Sequence, residues 1–134
     1  MARIVKSIYT NTDVTSLGEL TLSDTIDGPL APTITTLTDG ATITPNLQTS
    51  CNFTVTLGGN RTFANPSALT VGQSGSIFIV QDGTGGRTLS WGSYWDFISG
   101  TAPTLSTGAS AVDRIDYVVR SSTSIHAVLT ANYS

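Results

Sequence analysis

Few side chains in this sequence could carry chemistry, and their spacing argues against most of it. His126 is the only histidine and Cys51 the only cysteine. A catalytic imidazole needs a nucleophile on one side and an orienting carboxylate on the other, and no local motif around "SIHAVLT" supplies that set. Asp113 and Asp116 are the closest carboxylates in the C-terminal half. Their separation of three places them on opposite faces of a strand, where they cannot readily share a proton or a metal ion. Asp24 and Asp27 flank "LSDTIDGP" but lack the alternating oxygen ligands and closing glutamate of a calcium loop. Cys51 has no neighbouring Cys or His for zinc, and alone it forms no disulfide within the chain. These residues predict no catalytic set, no metal site and no cofactor, so the chain reads as a non-enzyme.

Two further stretches invite a chemical reading. In "VQDGTGGRTLSWG" a glycine cluster precedes an arginine. A phosphate-cradling loop would need G-x-x-x-x-G-K-[ST] leading into a helix. Here "GTGGRT" has no lysine, and "RTLSW" reads as a strand. The Asp-Gly step therefore predicts a hairpin turn between "IFIVQ" and "RTLSW". In "WGSYWDF", Trp91, Tyr94, Trp95 and Phe97 are concentrated within seven residues. Such rings can stack on sugars or anchor an interface, but strand alternation must bury some of them. Core or subunit interface is the favoured reading, with Trp91 expected to be buried.

The elements that would position these residues are strands. Charged residues make up only 11% of the 134, against about 25% in an ordinary soluble protein. Serine and threonine together exceed a quarter of the chain. Hydrophobic content of 39% argues against disorder, and β-branched side chains fit a pleated surface. "NFTVTL", "DRIDYVVR" and "SIHAVLT" alternate apolar and polar residues, the period of a strand with one buried face. "GSIFIVQ" is apolar on both faces and reads as a central strand. Turn signals fall between these runs, at Asp39-Gly40, "GGN", Asn65-Pro66, Asp82-Gly83 and "GTAP". The pattern predicts an all-β fold, an antiparallel sandwich or jelly-roll-like domain or a small barrel.

Residues 1–45 have a different texture. Pro29, Pro32 and Pro45 punctuate short apolar runs, and proline fits poorly inside a central strand. The expected organisation is an extended N-terminal arm or β-ribbon over 1–45 and a β-sandwich domain over 46–134. Ile4, Val5, Ile8 and Tyr9 in "RIVKSIYT" are apolar enough to seek a partner by strand addition. The six Lys and Arg do not cluster and the net charge is −3, so no nucleic acid is expected as a partner. No apolar run is long enough for a membrane span, and "MARIVKSIYTNTD" lacks the apolar core of a signal peptide. Synthesis in the cytoplasm is the simplest expectation, and the N-x-S/T triplets at Asn52, Asn60 and Asn132 are read as chance.

From residue 41 the phrases "GATITPNL", "FTVTLGGNRTFANPSAL", "GQSGSIFIVQDGTGGRTLSWGS", "GTAPTLSTGASAVDRIDYVVRS" and "AVLTANYS" resemble, in that order, a β-module of tailed-bacteriophage virion structural proteins. The module occurs in tail-fibre, head-fibre and other virion-surface proteins. The resemblance implies an all-β virion module, often a homotrimer and without catalysis, in which Asn60, Arg61, Asn65, Gln81, Asp82, Arg87 and Asp113 look like turn and packing positions. It raises two expectations. The first is a capsid decoration (cement) protein that binds the assembled shell, with the major capsid protein or other virion proteins as partners. The alternative is a short head or tail fibre, an adhesin module binding a host-surface glycan. Ile4, Val5, Ile8, Tyr9, Trp91, Tyr94, Trp95 and Phe97 are the candidate partner-binding residues.

Overall fold

A computed structural model of the chain describes residues 31–133. The candidate arm residues Ile4, Val5, Ile8 and Tyr9 lie outside the described residues. Among those described, the strands in chain order are β1 (Ile34–Thr36), β2 (Thr42–Ile43), β3 (Asn52–Leu57), β4 (Arg61–Phe63), β5 (Ser74–Gln81), β6 (Leu89–Trp91), β7 (Trp95–Phe97), β8 (Val112–Ser121) and β9 (Ser124–Thr130), with one 3-10 turn at Ile98–Gly100. Residues 31–45, grouped with the arm on sequence, contribute β1 and β2 to the folded unit, which begins at Ala31.

The chain winds between two sheets. Strands β1, β3, β5 and β7 enter a six-stranded sheet of order β1-β3-β5-β8-β9-β7, while β2, β4 and β6 form a second sheet in that order. From β1 to β6, each strand therefore pairs with the strand one full turn away (β1 with β3, β3 with β5, β2 with β4, β4 with β6), and each of these pairs runs parallel. Parallel strands need a crossover connection. Here the crossover is a strand of the opposite sheet. The β8–β9 hairpin is antiparallel and inserts between β5 and β7, with β7 parallel to β9. The all-β class expected from sequence is what the structure has. The strand directions, expected to be antiparallel, are mixed, and neither sheet closes into a barrel.

Short polar links make the corners. "GGN" (58–60) joins β3 to β4 in a different sheet, and the expected hairpin between "IFIVQ" and "RTLSW" is likewise a corner from β5 to β6. Turn chemistry specifies that the chain reverses. Whether the next strand pairs with the last one or crosses to the facing sheet depends on where its apolar side chains find cover.

That cover is one shared core. Phe53, Val55 and Leu57 of β3, Ile77 and Ile79 of β5, Ile115, Tyr117 and Val119 of β8, and Ile125 of β9 are all buried. Ile43 and Phe63 of the smaller sheet join the same cluster, so the alternation read from sequence does face inward. Strand β5 lies between β3 and β8, the central place its doubly apolar sequence predicts.

Polar side chains tie successive turns together. The Oδ1 atoms of Asn52, Asn60 and Asn65 accept hydrogen bonds from the backbone N–H groups of Ser76 (3.1 Å), Thr88 (3.0 Å) and Tyr94 (2.9 Å). Arg61 grips Asp39 with two bonds, Nε to Oδ1 at 2.9 Å and Nη2 to Oδ2 at 2.6 Å. Asn52 and Asn60 head two of the N-x-T triplets, and their amides serve as internal acceptors.

The turns approach so closely that Gly75 has no room for a side chain. A Cβ there would collide with the carbonyl of Cys51, which also accepts the Tyr117 hydroxyl at 2.9 Å. Overpacking of this kind costs about 1–3 kcal/mol. Gly75→Ala should therefore lower the urea midpoint clearly, while Gly83→Ala, with open space around it, should leave it nearly unchanged. Equal midpoints for the two variants would contradict this packing.

Candidate functional site

The glycine cluster after β5 is held by its own first residues. The buried Gln81 side chain pairs with the backbone of Arg87 at both ends: Nε2 donates to the carbonyl at 2.9 Å, and Oε1 accepts the N–H at 2.8 Å. Asp82 Oδ1 accepts from the N–H groups of Thr84 (3.0 Å) and Gly85 (2.9 Å). Its Oδ2 receives Arg87 Nη2 at 2.7 Å and Nε at 3.1 Å. Gly85 and Gly86 have φ of 74° and 71°, a backbone region that suits glycine. Gly85 also packs beneath the main chain of Thr107 to Ala109. The Asp82 carboxylate is occupied by Arg87 and these amides, and the loop acts as a braced corner. The Arg87 guanidinium, with the two loop N–H groups, holds the Asp82 carboxyl down at about 2, from an ordinary 3.8.

The aromatic stretch turns inward. Trp95 is 6% exposed, and its Nε1 donates to the Ala64 carbonyl at 3.0 Å. Its ring meets Phe63 edge-on at 5.3 Å between centroids, and Trp91 at 5.7 Å. Trp91 packs on Phe63 at 5.4 Å and on Phe97 at 4.9 Å. Such tilted contacts suit the quadrupoles of the rings. Trp91, Tyr94 and Phe97 are half-buried against the core. Trp91 is expected to be buried; it is half-buried, with its indole N–H shielded from solvent, and Trp95 is the ring the core encloses.

The outer face of the larger sheet is a different surface. Alternation sends Val118 of β8, His126 and Val128 of β9 and Asp96 of β7 away from the core, and all four are exposed. Register aligns Val118 with His126 and His126 with Asp96, while Asp116 lies across from Val128. With Ile98 these side chains line a groove of about 530 Å³, which Phe97 also borders. Asp116 is engaged on both oxygens, by the Ser76 hydroxyl at 2.6 Å and by Arg114 Nε at 3.0 Å. The Ser124 hydroxyl donates to Asp96 Oδ2 at 2.6 Å. A Ser, a His and an Asp thus lie close together, but the serine is bonded to the carboxylate and not to the imidazole, the reverse of an activated nucleophile.

Asp113 and Asp116 fall on opposite faces, as their spacing predicts. Asp113 is buried and accepts the N–H groups of Ser106 (2.7 Å) and Asn132 (2.8 Å), fastening the β7–β8 connection and the C-terminal segment. Asp96, Val118 and Val128 were not singled out from sequence. A signal was there in β9, where Val128 occupies an otherwise polar row; in β8 Val118 shares its row with Val112 as well as with Arg114, Asp116 and Arg120. No cluster of metal-ligating side chains occurs among the described residues, and none of their helices is long and apolar enough to cross a membrane.

Together these features make a two-sheet β winding with a braced corner, an aromatic core and an open groove on its outer face. The chain belongs to the family described as "Putative phage tail fibre C-terminal domain", whose model matches residues 43–123. That range runs from β2 to the turn between β8 and β9. No curated protein and no solved structure matches the chain. Membership makes this a virion-associated structural protein that interacts with other virion proteins.

Two outcomes follow from this geometry. Trp95→Ala should cost about 3–5 kcal/mol and lower the melting temperature more than Trp91→Ala does. A larger loss for Trp91→Ala would contradict the assignment of Trp95 as the enclosed ring. Asp82 binds its proton less tightly in the folded state than in the unfolded chain, so its contribution is complete above about pH 4 and is lost as the pH falls through about 2. Thermal melts of wild type and Asp82→Asn should differ above pH 4 and converge towards pH 2. A difference that persists undiminished at pH 2 would contradict the role of this carboxylate.

Proposed function

We propose that this chain is the receptor-facing module of a phage tail fibre, a non-catalytic adhesin that attaches to host-surface glycans. The observation that carries the reading is the family match, which takes in most of the two-sheet winding and names a C-terminal tail-fibre domain. The braced corner at Asp82 and Arg87 and the turn-to-turn asparagine bonds support it, because recognition needs a surface held by a rigid frame. The bonding of Ser124 to Asp96 supports a role without catalysis. A capsid cement subunit, the other expectation from sequence, draws on no feature of the described residues.

Purified full-length chain, added to host cells before infection, should slow phage adsorption in a dose-dependent way. A gel of purified virions should show tens of copies or fewer per particle, not the hundreds that repeating capsid symmetry requires of a cement (order-of-magnitude expectation). No effect on adsorption together with hundreds of copies per virion would overturn the fibre reading. The working form is proposed to be a homotrimer. Light scattering should return about three times the 14.0 kDa chain mass, and a single-chain mass at high concentration would contradict it.

A further inference from the structure

We infer that the groove on the outer face of β7, β8 and β9 is a carbohydrate subsite that takes neutral or amino-sugar rings and rejects acidic ones, an inference that rests on the receptor-binding reading above. Its apolar part is built from two exposed valines of the sheet and an exposed isoleucine of the 3-10 turn beside it. Val118 is 42% exposed, Val128 40% and Ile98 73%, and all three line the same groove. At about 530 Å³ it falls within the range of small-ligand sites, roughly 300–1,000 Å³.

The polar groups fix what can enter. Arg114 neutralises Asp116 through its guanidinium, with Nη2 at 2.8 Å from Oδ2, and the other oxygen takes the Ser76 hydroxyl. Asp96 has one oxygen committed to Ser124, while its Oδ1 has no donor among the described residues. His126, its cross-strand neighbour, has no hydrogen-bond partner among them either. The groove therefore offers one free carboxylate oxygen beside one free imidazole, at the margin of an apolar strip.

An occupant must bring hydrogen-bond donors to Asp96, because covering a carboxylate without donors is costly. It must bring no negative charge, which Asp96 would repel. It must also present an apolar surface to Val118 and Val128. A pyranose ring meets all three demands: hydroxyls along its edge for Asp96 Oδ1 and the imidazole, and a C–H face for the valines. An apolar face of a second copy would leave Asp96 unpaired.

The test uses the full chain, titrated with glucose, galactose, mannose and their N-acetyl and free-amine derivatives. Glucuronic acid, sialic acid and a tetralysine peptide complete the panel. Backbone amide shifts are followed by NMR. At least one neutral or amino sugar should move the amides of Asp96, His126 and Val128. Asp96→Ala and Val128→Glu should each weaken that binding at least tenfold with little change in melting temperature, while Thr56→Ala on the same face should bind as wild type. Preferential binding of the acidic sugars or of tetralysine, shifts confined to another surface, no binding across the panel, or full binding by both groove variants would each overturn the proposal. The adsorption assay separates the two readings. If the chain and both groove variants block adsorption equally, the fibre reading stands and the groove site falls. If the chain blocks nothing but binds a neutral sugar in the groove, the site stands and the receptor role falls.

Discussion

The structure depends on parallel pairing between successive turns of one winding chain. A strand such as β3 finds its hydrogen-bond partners in β1 and β5, not in β4, which follows it in sequence. Backbone groups inside a sheet must be paired, so the winding stands only if each turn seats in register on the one before. Asn52, Asn60 and Asn65 each send a side-chain carbonyl across to the next turn, and Asp39 and Arg61 clamp the first turn to the second. Gly75 is required by the same constraint, since one carbon more would push the turns apart.

The winding also separates two kinds of surface. Everything between the sheets is core, including the aromatic cluster around Trp95. The outer face of the six-stranded sheet is free of that duty, and there serine, threonine, two carboxylates, one histidine and two exposed valines are arrayed on a stiff frame. The β8–β9 hairpin widens this face by inserting between β5 and β7. It brings together residues from distant parts of the chain, Asp96 beside His126 and Ser76 beside Asp116. Packed core and open outer face are thus two sides of one sheet.

Much of this was legible in the sequence because strand alternation is local. "NFTVTL", "DRIDYVVR" and "SIHAVLT" declare both their conformation and their buried faces, and the central place of "GSIFIVQ" follows from its lack of a polar side. Pairing direction was not legible. "GGN" and "DGTGG" are turn sequences whether the next strand pairs or crosses over, and the choice is made by Phe63 finding cover against Trp95 and Trp91 against Phe97 of the facing sheet. Trp91 and Trp95 were indistinguishable in sequence, since which ring is enclosed depends on which sheet each strand joins. The groove is not legible in the sequence because register, absent from any local pattern, places Val118, His126 and Asp96 in one row. The one local hint was Val128 in the otherwise polar row of β9.

The central claim is that this β winding is a recognition module carried on a fibre of the virion. Immunogold electron microscopy with antibody raised against the chain addresses it directly. The account predicts gold at the distal ends of the tail fibres, a few particles per virion, and no label on virions from which the gene is deleted. Gold distributed evenly over the capsid shell would contradict it.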